Sequence, residues 1–116
     1  MKYKRNVELF KLILDDEFCL KSEPKIVIKK SLELDGEHCF GLYYGDKIKK
    51  HFRHKIKISK SENQSVITLF NTMAHEYIHC WQMEKGLELL HCEQQEFKMW
   101  HEYFFDKYNI DVIGLE

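Results

Sequence analysis

The residues with the clearest chemical potential are His75, Glu76 and His79, which form the pattern H-E-x-x-H. Residues four apart in a helix lie on one face about one turn apart, so both imidazoles can reach the same metal ion. Glu76 follows the first histidine and lies beside the ion without binding it. In that position it can take a proton from a zinc-bound water, whose pKa falls to about 7. The pattern therefore predicts a zinc site with hydrolytic chemistry.

The alternative interpretation of this motif is two exposed histidines and a glutamate on a solvated helix face. With 7 histidines in 116 residues, chance alone places such a pattern in roughly one of twenty similar chains. The motif lies in the middle of a predicted helix, however, and its neighbours are apolar. Three ionisable residues in such surroundings need a functional reason, so we expect the metal site.

A catalytic zinc site has three protein ligands and keeps a fourth position for water. Glu93 lies one turn before Phe97 on the buried side of the last predicted helix, where an unpaired carboxylate is costly and a cation removes that cost. His91 is two residues away, so on a regular helix its side chain points about 200° from that of Glu93. We expect Glu93 to be the third ligand and keep His91 as the alternative. The remaining candidates near or on this helix are Cys92, Glu96 and His101.

The apolar periodicity of the first half predicts one helix and three strands. Residues 6–20 have the spacing of an amphipathic helix, and Pro24 closes that element. Strands are predicted at residues 25–34, 39–44 and 54–59. The last of them alternates strictly between isoleucine and a polar residue. Gly45 and the aspartate after it mark a turn, so the second strand is expected to end there.

The period changes to that of a helix after residue 60. The segment from Ser61 to Gln64 has the form of a capping box, which predicts Ser61 as the N-cap of the helix that carries H-E-x-x-H. Helical spacing continues to about Glu84, and Gly86 is well placed as the C-terminal stop. A last helix is predicted over about 92–107. Its aromatic stripe contains Phe97, Trp100, Tyr103 and Phe104.

This order of elements predicts an α+β fold. We expect a small three-stranded sheet backed by the N-terminal helix, with the active-site helix and the C-terminal helix packed together. The length of 116 residues fits one domain over 1–116, large enough for a core without disulfide bonds. Trp81, Phe97 and Trp100 are more typical of that core than of substrate contacts. Surface or ordinary core positions are expected for His38, His51, His54 and His101.

The stretch from Thr72 to Gln82, followed by Glu96 to Trp100, resembles the SprT-like zinc metallopeptidases, and small phage-type members most closely. In that family the H-E-x-x-H helix is followed by a turn and a second helix, whose opening histidine is the third zinc ligand. Counting back from Phe97, the matching position in this chain is Glu93. The same spacing occurs in ImmA/IrrE-like metallopeptidases, in which a glutamate at that place binds the zinc. The resemblance covers roughly residues 6–107 and implies a zincin-like minimal domain.

The resemblance implies a zinc-dependent enzyme that hydrolyses peptide bonds in a protein or peptide substrate. Zinc would polarise the scissile carbonyl, Glu76 would activate the bound water as general base, and the proton would pass to the leaving amine. The ion would be held by His75, His79 and Glu93, or by His91 in place of the last. The other classes are a regulatory module with zinc but without peptidase activity, a zinc-stabilised protein associated with DNA, and a hydrolase of non-peptide substrates.

The segment 47–60 is strongly basic and contains no acidic residue. SprT-like relatives include proteases that act on proteins attached to DNA, so one interpretation of this segment is a DNA contact. The other is a solvated strand face whose charges keep the sheet edge unpaired. The formal net charge of the chain is −1, so the protein as a whole does not attract nucleic acid or acidic membranes.

The 4 cysteines include no C-x-x-C pair, which argues against a zinc ribbon or a redox motif. The first sixteen residues are too charged for the core of a signal peptide. No apolar run approaches the roughly 20 residues needed to cross a bilayer. We therefore expect a cytoplasmic protein without a membrane partner, in which the cysteines are small buried hydrophobic residues.

Overall fold

A computed structural model describes residues 1–86 and 95–112 of the chain, without the side chain of Glu96. Its elements are α1 (Tyr3–Phe18), β1 (Lys25–Lys29), β2 (Glu33–Leu34), β3 (Glu37–His38), β4 (Gly41–Ile48), β5 (His51–Ser59), α2 (Val66–Glu84) and α3 (Gln95–Tyr108). Three helices and a small mixed sheet form an α+β fold, as the sequence predicts. Within the described residues, no helix is both long enough and apolar enough to span a membrane.

β5 is the central strand of a three-stranded sheet, with β1 parallel on one side and β4 antiparallel on the other. β2 and β3 form a separate two-stranded ribbon. The prediction of one strand over 25–34 is wrong, because β1 ends at Lys29. Lys29 pairs with Ser59, which is the last residue of β5. The pairing ends just after this point, with bonds from the Lys60 and Ser61 N–H groups to the Lys29 and Lys30 carbonyls.

β4 is longer than the sequence suggests. The prediction that Gly45 ends this strand is wrong, because β4 continues to Ile48, which pairs with His51 at the start of β5. The two residues between the strands make the turn, and the first of them, Lys49, has a left-handed φ of 55°. Because this tight turn joins the strands directly, β5 also begins before residue 54, where the sequence predicts its start.

The two faces of the sheet differ in burial. Along β5 the side chains of Phe52, His54, Ile56 and Ile58 are buried, whereas those between them are exposed or half-buried. This confirms the predicted alternation of the strand. α2 packs against β4 and β5 on the buried side, and α1 packs against α2. We call the side of the sheet under α2 the inner face and the opposite side the outer face.

α2 begins later than the sequence suggests, and the prediction of Ser61 as its N-cap is wrong. Ser65 is the N-cap, and its hydroxyl accepts a hydrogen bond from the backbone N–H of Thr68 at 3.1 Å. The backbone N–H of Ser61 donates instead to the Lys30 carbonyl at 3.0 Å. Residue 61 therefore lies in the turn that follows β5, before the helix.

α3 packs on the rest of the molecule through its aromatic stripe. Phe97 and Phe104 are fully buried, and the Trp100 ring lies 4.2 Å from the Phe18 ring of α1, measured between centroids. Trp81 on α2 is half-buried and contacts the Trp100 ring edge to face. These contacts confirm the assignment of the tryptophans and Phe97 to packing.

The described cysteines differ in burial. Cys80 is buried, Cys39 is half-buried and Cys19 is exposed, so the expectation of buried cysteines is wrong for Cys19. Cys19 follows the last residue of α1 with a left-handed φ of 47°, which turns its side chain away from the core. Burial, followed by the nearby Glu76 carboxylate, raises the pKa of the Cys80 thiol well above its ordinary value. Cys80 is thus a neutral packing residue, and Cys92 lies outside the described residues.

Candidate metal centre

His75, Glu76 and His79 lie together on the inner side of α2. One nitrogen of each imidazole and one carboxylate oxygen of Glu76 lie within 4.8 Å of one another. The three residues are 3%, 5% and 7% exposed, which excludes the interpretation of a solvated helix face. Two imidazoles and a carboxylate are a donor set that suits zinc. The cluster is buried, so its polar groups need partners.

His75 is oriented by the backbone of the segment that follows α3. Its Nδ1 lies 2.7 Å from the carbonyl oxygen of Val112, and both groups are buried. A carbonyl oxygen can only accept, so Nδ1 carries the proton and donates it. In the neutral ring the lone pair is then on Nε2, which is the nitrogen available for coordination.

His79 is oriented in the same way by a residue of its own helix. Its Nδ1 lies 2.9 Å from the amide oxygen Oε1 of Gln82, whose side chain is fully buried. Nδ1 of His79 therefore donates, and Nε2 again holds the lone pair. Both histidines of the motif thus have the tautomer with the lone pair on Nε2, because an outer partner of this kind sets which ring nitrogen can bind a metal.

Phe97 forms an apolar wall next to the two histidines. Its ring centroid lies 4.9 Å from that of His75 and 5.5 Å from that of His79. Phe97 is fully buried on α3, so this helix closes one side of the cluster. An apolar neighbour lowers the local dielectric constant and strengthens electrostatic interactions at the site.

Glu76 lies against the backbone of β4. A Cβ atom added at Gly41 would lie 3.1 Å from Oε2 of Glu76 and 2.9 Å from Cγ2 of Thr72. The absence of a side chain at Gly41 therefore allows the strand to approach the helix at the motif. Thr72, one turn before Glu76, donates its hydroxyl to the Asn63 amide oxygen, and Asn63 donates to two carbonyls of the sheet region. These bonds fix α2 relative to the sheet.

Two carboxylates, those of Glu76 and Glu62, act on the half-buried Cys39 beside the site. Burial, followed by the Glu76 and Glu62 carboxylates, raises the pKa of the Cys39 thiol, so Cys39 is neutral near the site. A buried carboxylate beside two neutral imidazoles has a strong electrostatic affinity for a cation. The charge at this place thus favours a metal ion.

The cluster opens into a groove of about 1540 Å³ between β4, β5 and α2. Its walls include His75, Glu76 and His79, together with Tyr43 of β4 and His54 of β5. A pocket for a small molecule commonly measures about 300–1,000 Å³. The groove is therefore large enough for an extended ligand that passes the cluster.

The proposed third ligands mostly lie outside the described residues. This holds for His91, Cys92 and Glu93, and for the side chain of Glu96. His101 is described, and its Nδ1 lies 3.4 Å from an Asp111 carboxylate oxygen. Among the described residues, the group that could hold an ion does not include His101.

The histidines that were expected at surface or ordinary core positions include both exposed and buried residues. His38 and His51 are exposed, as expected. His54 is 4% exposed and lies in the groove, with hydrogen-bond partners at both ring nitrogens. The alternation of β5 indicates that its side chain is buried, but the partners come from other elements.

Several residues of the site are missed by sequence reasoning. Gln82 could have been found from its position three residues after His79, because such a side chain can reach back along the helix. The spacing of Gly41, Tyr43 and Gly45 places all three on one face of a strand, which is a second signal. Val112 contributes only a backbone carbonyl and carries no such signal.

Comparisons of the chain with family models, with curated proteins and with solved structures found no match. Its function is therefore interpreted from the geometry of the site.

Proposed function

We propose that this chain is a zinc-dependent metallopeptidase related to the SprT-like family, with a zincin-like fold. The observation that carries the proposal is the outer hydrogen bond of each motif histidine, from His75 to Val112 and from His79 to Gln82. Such bonds orient the rings so that Nε2 would be the nitrogen that coordinates a metal. Glu93 completes the ligand set in this proposal, with His91 as its alternative.

Zinc, when bound, supplies a Lewis acid and an acidified water. Glu76 lies beside the two imidazoles, where its carboxylate would take the proton of that water as general base. The same carboxylate then delivers the proton to the leaving amine. Phe97 limits access of bulk water from one side and keeps these charges in a medium of low dielectric constant.

A peptide is the substrate that the groove fits best. β4 is an edge strand of the three-stranded sheet and passes directly beside Glu76 at Gly41. An edge strand offers unpaired backbone groups to which an extended peptide can add. The volume of the groove also suits a chain-like ligand better than a small molecule.

The central test of this function separates metal binding from catalysis. Zinc-loaded wild type and Glu76→Gln are incubated with a mixture of unstructured peptides, and cleavage is followed by mass spectrometry. We expect the variant to keep its zinc and to lose at least about 100-fold of the cleavage rate, because it lacks the general base. Glu102→Gln, an exposed position on α3, is the matched control and should keep both.

Loss of zinc in Glu76→Gln would assign that residue as a ligand and contradict its proposed role. Wild type that binds zinc and cleaves no peptide would remove the peptidase proposal. For the third ligand, Glu93→Ala should weaken zinc binding strongly and His91→Ala only mildly. The reverse ranking would move that role to His91.

A second candidate function is a DNA-associated module in which zinc only stabilises the fold. The observation that favours it is the outer face of the sheet, where Lys25, Lys55 and Lys57 are neighbours across the strands. The exposed Tyr44 lies among them, with the Lys57 ammonium 5.1 Å from its ring. Gel-shift titrations at two salt concentrations would decide, since phosphate contacts weaken steeply as salt rises. Absence of a shifted species at low salt would exclude it.

A further inference from the structure

A chain of three polar residues lies on the inner face beside His79, and the zinc chemistry proposed above does not use it. The Tyr43 hydroxyl lies 2.6 Å from Nδ1 of His54, and Nε2 of His54 lies 2.7 Å from Oε2 of Glu84. The His54 side chain is 0% exposed and that of Glu84 is 6% exposed. We call these three residues the polar chain. Buried groups of this kind are costly unless they are hydrogen-bonded, and His54 and Glu84 have partners at both of their polar atoms.

Glu84 fixes the direction of the hydrogen bonds. The backbone N–H groups of Lys21 and Ser22 donate to its two oxygens at 2.7 and 3.1 Å. Both oxygens therefore act as acceptors, and Nε2 of His54 must carry the proton that it shares with Glu84. In the neutral ring Nδ1 then holds the lone pair, so the Tyr43 hydroxyl donates to it. The remaining lone pairs of the Tyr43 oxygen are the acceptor that the polar chain presents.

Gly45 and His79 fix the position of the phenol. A Cβ atom at Gly45 would overlap the Tyr43 hydroxyl, so glycine leaves the space in which the side chain lies along β4 towards His54. The Tyr43 ring centroid lies 6.1 Å from that of His79, with 24° between the ring planes. Tyr43 and His54 line the same groove as Glu76. The phenol is therefore held at the wall of the groove, next to one of the motif histidines.

We propose that Tyr43 binds the substrate, with its oxygen accepting a hydrogen bond from an N–H group of the ligand, and that His54 and Glu84 are positioning residues. The proposal rests on the peptidase function above and adds the chemical group that the site selects, an unsubstituted backbone amide or an amine. Donation along the polar chain polarises the phenol and strengthens its oxygen as an acceptor. A ligand without the N–H leaves that acceptor unpaired and binds more weakly.

Binding rather than turnover is the readout of the test. Zinc-loaded wild type and Tyr43→Phe are titrated with a peptide hydroxamate and with the same compound methylated at one backbone amide at a time. In wild type, one methylated position should lower the affinity at least about tenfold, the size of one hydrogen bond. Tyr43→Phe should lose a similar factor for the parent compound and should no longer distinguish that methylated position. Tyr103→Phe, an exposed tyrosine of α3 that does not line the groove, should behave as wild type does.

Equal binding of all compounds by wild type, or binding of none, overturns the proposal, as does a Tyr43→Phe profile identical to that of wild type. If wild type gives any of these results but still cleaves peptides, the peptidase function stands. Conversely, the expected coupling in a wild type that cleaves nothing supports the role of Tyr43 while the peptidase function fails. Zinc affinity is measured for each variant, and an unchanged value in Tyr43→Phe separates substrate binding from support of His79.

The direction of the hydrogen bonds in the polar chain can be tested separately, with neither a ligand nor an activity assay. NMR of the His54 ring nitrogens in wild type near neutral pH should show a proton on Nε2 and none on Nδ1. A proton on Nδ1 would make Tyr43 a donor towards the groove and overturn the proposal. This measurement also holds if Tyr43→Phe proves too unstable to study.

Discussion

The inner and outer faces of the sheet use the same two strands for different purposes. On the inner face of β4, Gly41 and Gly45 provide space, and Tyr43 between them has a fixed partner. On the outer face the exposed Lys55 of β5 lies opposite the half-exposed Tyr44. A Cβ atom added at Gly41 would meet α2 at about 3 Å, and one added at Gly45 would overlap Tyr43, so one added atom matters on the inner face. The comparison shows that close contacts constrain the face that carries the metal cluster, whereas the outer face carries exposed residues.

Removal of zinc should have the largest effect, and it should act through the inner face alone. A ligand that binds only the native state stabilises it, by about 2.7 kcal/mol at one hundred times its Kd. Thermal unfolding of zinc-loaded protein with and without a chelator measures this difference. His75→Ala should unfold at the same temperature in both conditions. An unchanged wild-type Tm on chelation would mean that the cluster holds no stabilising metal.

Gln82 extends the comparison from the sheet to α2. Gln82→Met removes the acceptor for His79 at similar side-chain length, and we expect zinc affinity to fall about 10- to 100-fold. Competition with a chromophoric chelator gives the affinity. Gln82→Glu keeps an acceptor oxygen at the same place and should retain most of it. Equal affinities for the Met and Glu variants would show that the bond at 2.9 Å does not support the metal.

Gly41→Ala and Gly36→Ala compare the effect of a new steric contact with the effect of an unfavourable backbone conformation. The new methyl group would meet Thr72 and Glu76, and overpacking of this kind costs about 1–3 kcal/mol. Gly36→Ala is the control, because Gly36 has a φ of +81° but no atom within 4 Å of an added Cβ. Urea unfolding measures stability, and peptide cleavage measures the effect on Glu76. We expect only Gly41→Ala to lower cleavage, and a similar loss in Gly36→Ala would contradict the contact with Glu76.

Lys55→Gln on the outer face should have the smallest effect. Lys55 is exposed, and substitutions at such positions change the free energy of unfolding by no more than about 0.5 kcal/mol. Zinc affinity should equal that of wild type. A loss of zinc affinity in this variant would break the distinction between the two faces.

Local patterns predicted the helix of the motif well, because helical periodicity needs only neighbouring residues. Its start was harder, since Ser61 and Ser65 are both plausible N-caps. The choice depends on the hydrogen bond from the Ser61 N–H to the Lys30 carbonyl, which joins residues far apart in the chain. The end of β1 likewise depends on where β5 ends. Such boundaries are set by tertiary pairing, which periodicity does not contain.

The same reasoning explains which parts of the site were predictable. One helix turn imposes the spacing of His75, Glu76 and His79, so the sequence alone identifies them as one motif. The polar chain joins Tyr43, His54 and Glu84 from three elements, and its hydrogen bonds exist only once those elements pack. The alternation of β5 predicts that the His54 side chain is buried, but no local rule gives its partners.

The bond from His75 to the Val112 carbonyl links the ligand helix to a part of the chain that contributes no functional side chain to it. Every amino acid carries a backbone carbonyl, so an alanine scan across residues 109–112 would leave the acceptor in place and would record only lost side-chain contacts, such as the burial of Val112 and the pairing of Asp111 with His101. Linkage between two binding events is reciprocal. Because the bond to the Val112 carbonyl orients His75 for an ion, a bound ion in turn stabilises the position of residues 109–112. Metal occupancy should then be measurable as slower hydrogen exchange in residues 109–112.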